Sequence, residues 1–225
     1  MSNNVAIIVG ASGGIGSALC ESLRDAGDFG DVVGLSRPEI DLCDEASIAR
    51  VASRLPRGDV RLVINAAGIL HDAGRRPERS LRDLDPAFLS RLFAVNAIGP
   101  ALLMKHFLPL MPRQGRAVFA TLSARVGSIG DNRLGGWYGY RASKAALNQL
   151  IRTAAIEFAR KHPEAICVAL HPGTVATRLS APFVGQGKSP QSPNDAAKHL
   201  LRVIAALKVE DSGCFFDWRG TSVPW

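Results

Sequence analysis

Residues 5–16 read Val5-Ala6-Ile7-Ile8-Val9-Gly10-Ala11-Ser12-Gly13-Gly14-Ile15-Gly16, and this stretch decides the fold. Val5–Val9 is an unbroken apolar run rich in β-branched residues, which predicts a strand buried on both faces. A glycine-rich turn follows at once. Ile15, Leu19 and Leu23 then recur at i, i+4 and i+8, one face of a helix, and Gly27 suits its end. Strand, glycine turn and helix together aim backbone N–H groups at an anion, and glycines let the backbone come close to it. The spacing is G-x-x-G-G-x-G, neither G-x-G-x-x-G nor the Walker form. A tight helix-entry turn is the plain alternative. Dinucleotide binding is the stronger reading, with Gly10, Ser12, Gly13, Gly14, Ile15 and Gly16 as its contacts.

Working outward, the same rhythm repeats. Val32–Leu35 predicts a second strand, and Asp44 can N-cap a helix to about Leu55. Val60–Ile64 predicts a strand ending at Asn65-Ala66-Ala67-Gly68. Asp85-Pro86 opens a helical stretch that passes Asn96 towards Met111, with a bend expected near Gly99-Pro100. Ala117–Leu122 predicts a strand ending at Ser123, Tyr140 begins a long helix, and Ile166–Leu170 predicts a strand ending at His171-Pro172-Gly173. A helix from Ser192-Pro193 to about Leu207 and a short strand at Cys214–Asp217 complete the chain. Apolar strands alternating with helices predict an α/β fold: one doubly wound Rossmann-type domain over residues 1–225, with a mostly parallel sheet of six to seven strands. Only four positions separate Arg37 from Asp41, too few for a parallel crossover. The third strand usual in such sheets is therefore expected to be missing or vestigial. The Gly/Pro/Ser-rich segment 180–193, which contains Phe183, is a candidate substrate lid.

Composition narrows the partners. The 225 residues are 47% hydrophobic and 21% charged, an ordinary globular balance. The four cysteines are scattered with no C-x-x-C pair, which argues against a disulfide framework or zinc ribbon and for a reducing compartment, so the cytoplasm is expected. The five histidines lack metal-ligand spacing, and no metal site is expected. No unbroken apolar run is long enough to span a bilayer, so no transmembrane segment is expected. The formal net charge is +7. The basic residues are dispersed and not interleaved with aromatics, so nucleic acid is not the expected main partner.

Reactive groups stand where apolar elements end. Tyr140 and Lys144 are i, i+4 partners on one helix face, and an ammonium beside a phenol is expected to lower the phenol's pKa. A solvent-facing Tyr–Lys pair is the plain alternative. Tyr138 has Ala142 at the same spacing and lacks such a partner. Ser123 can hydrogen-bond a substrate oxygen beyond the end of its strand. Asn96 interrupts a helical stretch, where a satisfied core amide is the plain alternative.

Taken in order, these motifs resemble the short-chain dehydrogenase/reductase family over nearly the whole chain. Gly10, Gly14 and Gly16 are similar to its nucleotide loop, and Asn65-Ala66-Ala67-Gly68 to its N-A-G strand end. Asn96, Ser123, Tyr140 and Lys144 are similar to its catalytic tetrad, and Pro172-Gly173, Val175 and Thr177 to its P-G-x-x-x-T segment. The region from Ser123 to Lys144 and the Pro224-Trp225 end look closest to its C-factor-like branch. Three features depart from the pattern. Val9 stands where the family often has Thr. Ser123 and Tyr140 are 17 positions apart, with Arg125–Gly139 as an enlarged loop. The helix usual after the second strand is also absent.

The resemblance implies hydride transfer between a nicotinamide and a carbonyl or alcohol substrate. Tyr140 would be the general acid/base, Lys144 would hold the ribose and lower the Tyr140 pKa, Ser123 would orient the substrate oxygen, and Asn96 would hold a relay water. It also implies that Asp41-Leu42 flank the adenine and that helices near 86–111 and 140–162 form a homodimer or homotetramer. Ser36 and Arg37 stand at the end of the second strand where an acid would favour NAD(H). A guanidinium suits a 2′-phosphate, so NADP(H) is expected over NAD(H). The alternative function is a nucleotide-binding, C-factor-like signalling protein with little or no turnover.

Overall fold

An apolar run with no polar break finds no stable place at a half-wet surface, and all five residues of β1 (Val5–Val9) are buried inside the sheet, flanked by a strand on each side. The structure is a computed structural model and describes residues 4–72, 74–183 and 189–225. After β1 come α1 (Gly14–Ala26), β2 (Asp31–Leu35), α2 (Glu45–Ala52) and β3 (Val60–Asn65). A helical run then carries α3 (Pro86–Phe93), a π-turn (Ala94–Ile98) and α4 (Gly99–Phe107). β4 (Ala117–Leu122), α5 (Tyr138–Ala159), β5 (Ala165–His171), α6 (Pro193–Ala206) and β6 (Phe215–Asp217) follow.

Among the described residues six strands form one sheet, every neighbouring pair is parallel, and the order is β2-β1-β3-β4-β5-β6. Ile7, Val63, Phe119 and Cys167 point to one face, where Ile48 of α2, Leu103 and Phe107 of α4, and Leu147 and Ile151 of α5 cover them. Ile8, Ile64, Val118 and Val168 point to the other, under Leu19 and Leu23 of α1 and Leu200 and Ile204 of α6. The connection from β1 runs outward to β2, and the chain then returns across β1 to β3. Strand order reverses there, and a crevice opens at the carboxyl ends of β1 and β3.

Local chemistry sets three helix starts and the end of α1 where the sequence predicts them, while α5 begins at Tyr138, two residues before the expected Tyr140. The Asp44 side chain accepts from the Ala46 amide, that of Asp85 from Phe88, and that of Ser192 from Asp195. Gly27 ends α1 in the left-handed region at φ 69°. α2 stops at Ala52, short of Leu55. Residues 36–44 form turns, and β2 is the sheet edge. The irregularity expected near Gly99-Pro100 lies one turn earlier, as the π-turn. Pro100 has no N–H to give the carbonyl four residues back, that of Asn96, and the helix adapts on the N-terminal side of the proline. By length and hydropathy the run Pro86–Leu110 could cross a bilayer, but Phe88, Leu92, Leu103 and Phe107 are buried within the protein.

Candidate active site

The loops after β1 and β3 touch. Gly10 has φ 88°, and a Cβ there would lie 2.8 Å from the Ala67 nitrogen. A Cβ on Gly16 would lie 2.1 Å from the Gly10 carbonyl oxygen, so only hydrogen fits. The N-cap of α1 is Gly13, no side chain caps the helix, and its first turn carries no acid. The amides of Gly14, Ile15 and Gly16 therefore remain available to an anion. Asn65 is fully buried. Its Nδ2 donates to Thr121 Oγ1 at 3.0 Å and its Oδ1 accepts from the Ala67 amide at 3.2 Å, which fixes the second loop.

Between these loops lies a cavity of about 220 Å³. Of the residues the sequence singled out, Gly10, Ser12, Gly13, Ser36, Arg37, Asp41, Leu42, Ala66, Ala67 and Gly68 line it. Pro172, Gly173, Val175 and Thr177 lie outside its lining, on the α6 side. There Thr177 Cγ2 would meet a Cβ on Gly14 at 3.1 Å, so the Pro-Gly segment leans on the start of α1. Gln191 holds that segment: its side-chain amide donates to the Pro172 carbonyl, and its main-chain carbonyl accepts from the Ala176 amide at 2.9 Å. Sequence reasoning missed Gln191, and it also missed Arg91, which lines the cavity from α3. Arg91 Nη1 donates to Cys43 Sγ at 3.1 Å, and its Nε lies 3.5 Å from Asp72. Nothing adjacent in sequence marks either residue, because each reaches the site from a distant element. Larger hollows between α4 and α5 and between α1 and α6 contain none of these groups.

Tyr140, Lys144 and Asn148 share the inward face of α5, at i, i+4 and i+8, and all three are buried. Lys144 Nζ donates to the Leu122 carbonyl at 2.8 Å, which brings it to the end of β4 beside Ser123. It stands 5.9 Å from the centroid of the Tyr140 ring. Ser123 Oγ donates to Asn148 Oδ1 at 2.6 Å. A Cβ on Gly68 would lie 3.2 Å from Asn96 Oδ1 and 3.5 Å from Lys144 Nζ, so the loop after β3, the π-turn and α5 converge. Asn96 clamps this convergence. Its Oδ1 accepts from the Ile69 amide at 2.9 Å, and its Nδ2 donates to the Ile69 carbonyl at 2.8 Å and to Ser143 Oγ at 3.2 Å. Tyr138 is at the surface, away from this face.

The electrostatics correct one expectation. Lys144 does not lower the Tyr140 pKa in this structure: burial pushes the phenol up to about 12. Burial also brings the Lys144 ammonium down to about 8. Each group has been taken out of water, which disfavours its charged form, and the ammonium is bonded to a carbonyl rather than to the phenol. At neutral pH the pair is phenol and ammonium, a proton donor beside a cation. His171, at the end of β5, has a buried Nδ1 without a hydrogen-bond partner, and burial brings its pKa to about 4, so it stays neutral.

An apolar wall flanks the phenol. Trp137 packs edge-on to Tyr140 at 6.2 Å and to Phe183 at 5.4 Å between ring centroids, and Leu179 and Val126 join the cluster. Trp137 is the N-cap of α5 at φ 54°, a left-handed conformation unusual for so large a residue. Arg141 holds the strained entry by donating to the carbonyls of Gly136 and Val126. Phe183 belongs to the segment 180–193 expected as a lid, of which residues 184–188 lie outside the described residues.

A family model described as Enoyl-(Acyl carrier protein) reductase matches residues 29–216. The chain is 37% identical over 175 residues to the C-signal protein of Myxococcus xanthus, covering 77% of this chain and 98% of that protein. It is 31% identical over 233 residues to the 1-hydroxy-2-glutathionyl-2-methyl-3-butene dehydrogenase of a Rhodococcus species, covering 97% and 98%. Among solved structures, the NADPH-bound carbonyl reductase from chicken fatty liver superposes with a TM-score of 0.82 at 27% identity, covering 99% of each chain.

Proposed function

Because the chain belongs to the short-chain dehydrogenase/reductase family, we propose that it is an NADP(H)-dependent oxidoreductase acting on a carbonyl or alcohol substrate, with Tyr140 as general acid/base. The observation that carries this reading is the convergence of Ser123, Tyr140 and Lys144 at the carboxyl end of β4, beside a glycine cradle that a Cβ would close. The cradle fits a dinucleotide phosphate, since its anion-facing amides are uncapped and glycine stands wherever the backbone must be approached. Arg37 and Arg91 flank the adenine side of the cavity. Two cations there favour a 2′-phosphate, and the NADPH-bound carbonyl reductase shares the fold.

When bound, the nicotinamide supplies a hydride to the carbonyl carbon or takes one from the carbinol carbon. The chain's own groups handle the oxygen. In reduction Tyr140 gives its phenolic proton to the carbonyl oxygen, and oxidation, which needs the phenol first ionised, runs the same transfer in reverse. Lys144, bonded to the Leu122 carbonyl, keeps a positive charge near that oxygen, which stabilises developing negative charge in a water-poor site. The Asn96 side chain is fully engaged by Ile69 and Ser143. Any relay water would bond its main-chain carbonyl, which Pro100 leaves without the usual helical donor. The aromatic wall of Trp137 and Phe183 suits flat apolar carbonyl compounds. We place the enzyme in the cytoplasm, where its four free thiols persist, as a homodimer or homotetramer through α4 and α5.

The test is NADPH oxidation across a panel of aryl and alkyl aldehydes and ketones. Turnover is expected with at least one of them. Tyr140→Phe should lose about 10²–10⁴-fold in rate while binding NADPH normally. A Tyr140→Phe enzyme of near wild-type rate refutes the role. The similarity to the C-signal protein favours a second reading, a signalling protein that binds the nucleotide without turnover. NADPH binding with no oxidation of any carbonyl would select it.

A further inference from the structure

Asn148 is only 2% exposed, and no step above uses it. Two fixed neighbours orient its amide. Nδ2 donates to the Gly127 carbonyl at 3.4 Å, an oxygen that can only accept. Turning the amide over would set two oxygens against each other, so Oδ1 must face Ser123. The Ser123 hydroxyl then has no choice but to donate to it, at 2.6 Å. A serine has one proton. While Asn148 holds that proton, Ser123 Oγ presents only lone pairs to any other group, and withdrawing it would leave a buried acceptor unpaired. The lock is rigid, because a Cβ on Gly127 would lie 2.7 Å from Lys144 Cβ and the turn carrying Gly127 packs directly on α5.

We propose that Asn148 is a positioning residue that fixes the hydrogen-bond polarity of Ser123, so that the serine accepts from a substrate hydroxyl and does not donate to a substrate carbonyl. The inference rests on the assignment of Ser123 and Tyr140 to the substrate oxygen. It makes the alcohol the better-bound form: a hydroxyl finds an acceptor at Ser123, whereas a carbonyl finds only the Tyr140 phenol. The reaction equilibrium and the cofactor affinities fix the ratio of kcat/KM in the two directions. The polarity of Ser123 is therefore read from binding.

The aromatic wall recommends an aryl probe pair. Calorimetry with 1-phenylethanol and NADPH, and separately with acetophenone and NADP+, reads each form without turnover. Asn148→Leu, close to asparagine in shape but without polar atoms, should leave 1-phenylethanol affinity within about twofold, because the Ser123 lone pairs still accept from its hydroxyl. It should tighten acetophenone, because Ser123 is freed to donate, and leave NADPH affinity unchanged. Asn148→Asp keeps the acceptor oxygen and should retain the wild-type preference. In a Ser123→Ala background Asn148→Leu should change neither affinity. Equal losses for both probes, or an effect that survives in the Ser123→Ala background, would overturn the proposal. Should Asn148→Leu not fold, Asn148→Ala carries the same expectations. Failure of the catalytic assignment appears separately, as an inactive carbonyl panel or an indifferent Tyr140→Phe.

Discussion

Lys144 carries its charge where charge is expensive. Its ammonium is buried, its pKa falls to about 8, and its nearest acceptor is one main-chain carbonyl. The unfolded chain holds the same proton up to its ordinary value near 10.5. Below pH 8 both states are charged and the fold bears the full desolvation penalty, about 3 kcal/mol for a shift of this size. Between about pH 8 and 10.5 the folded lysine is neutral while the unfolded one is not, and the penalty fades. Lys144→Met should therefore melt above the wild type at pH 7, with the gap in Tm closing as pH rises through that window. A gap that widens with pH contradicts the assignment. The same titration should make carbonyl reduction decline as pH rises through about 8, since the cation beside the reacting oxygen disappears. At the adenine end, Arg37→Asp should raise the NADH-to-NADPH ratio of kcat/KM by at least tenfold. Arg37 was legible because it stands at a strand end. Arg91 was not, because only a tertiary contact of α3 with the turn after β2, where Arg91 Nη1 meets Cys43 Sγ, brings it there.

The elements that form the site are short-range statements about sequence. The glycine turn, the Asp85-Pro86 helix start and the Tyr140–Lys144 spacing each follow from residues within one or two helical turns. Gly16→Ala should cost about 1–3 kcal/mol of stability and most of the NADPH affinity, because the new methyl group strikes the Gly10 carbonyl and pushes the loop from its seat on Ala67. Thermal melting and fluorescence titration with NADPH check both, and an Ala variant that binds NADPH normally would show the loop to be looser than the contact implies. The π-turn illustrates the limit of such reading. Gly99-Pro100 announces an irregular helix, but where the irregularity falls depends on Asn96, whose side chain is drawn to Ile69 and Ser143 on other elements. The left-handed Trp137 was equally hidden, since its conformation is held by the Glu78 carbonyl and by Arg141 around the preceding glycines.

At the level of the whole molecule, the α4–α5 face leaves an apolar side chain of α5 in water. Ile156 is 53% exposed and lies on the same layer as the hollow lined by Leu150, Ala154 and Phe158. In the proposed homo-oligomer a subunit contact through this face would cover it, and Ile156→Arg should then shift the sedimentation coefficient toward that of the 24.0 kDa monomer without lowering Tm at high dilution. A wild type that sediments as a monomer at micromolar concentration removes the basis for that contact.

Alternating apolar strands and helices determined the parallel α/β architecture and the doubly covered sheet. Strands with no polar face need helices on both sides, and that requirement is written in each segment alone. The glycine turn and the Tyr140–Lys144 face were fixed in the same way, by residues close in sequence, and the family by the order of such motifs along the chain. Tertiary structure decided what those residues experience. It set the direction of both pKa shifts, because desolvation depends on everything packed around a group. It decided which acceptor Ser123 donates to, and it brought Arg91 and Gln191 to the site from elements that sequence proximity does not join.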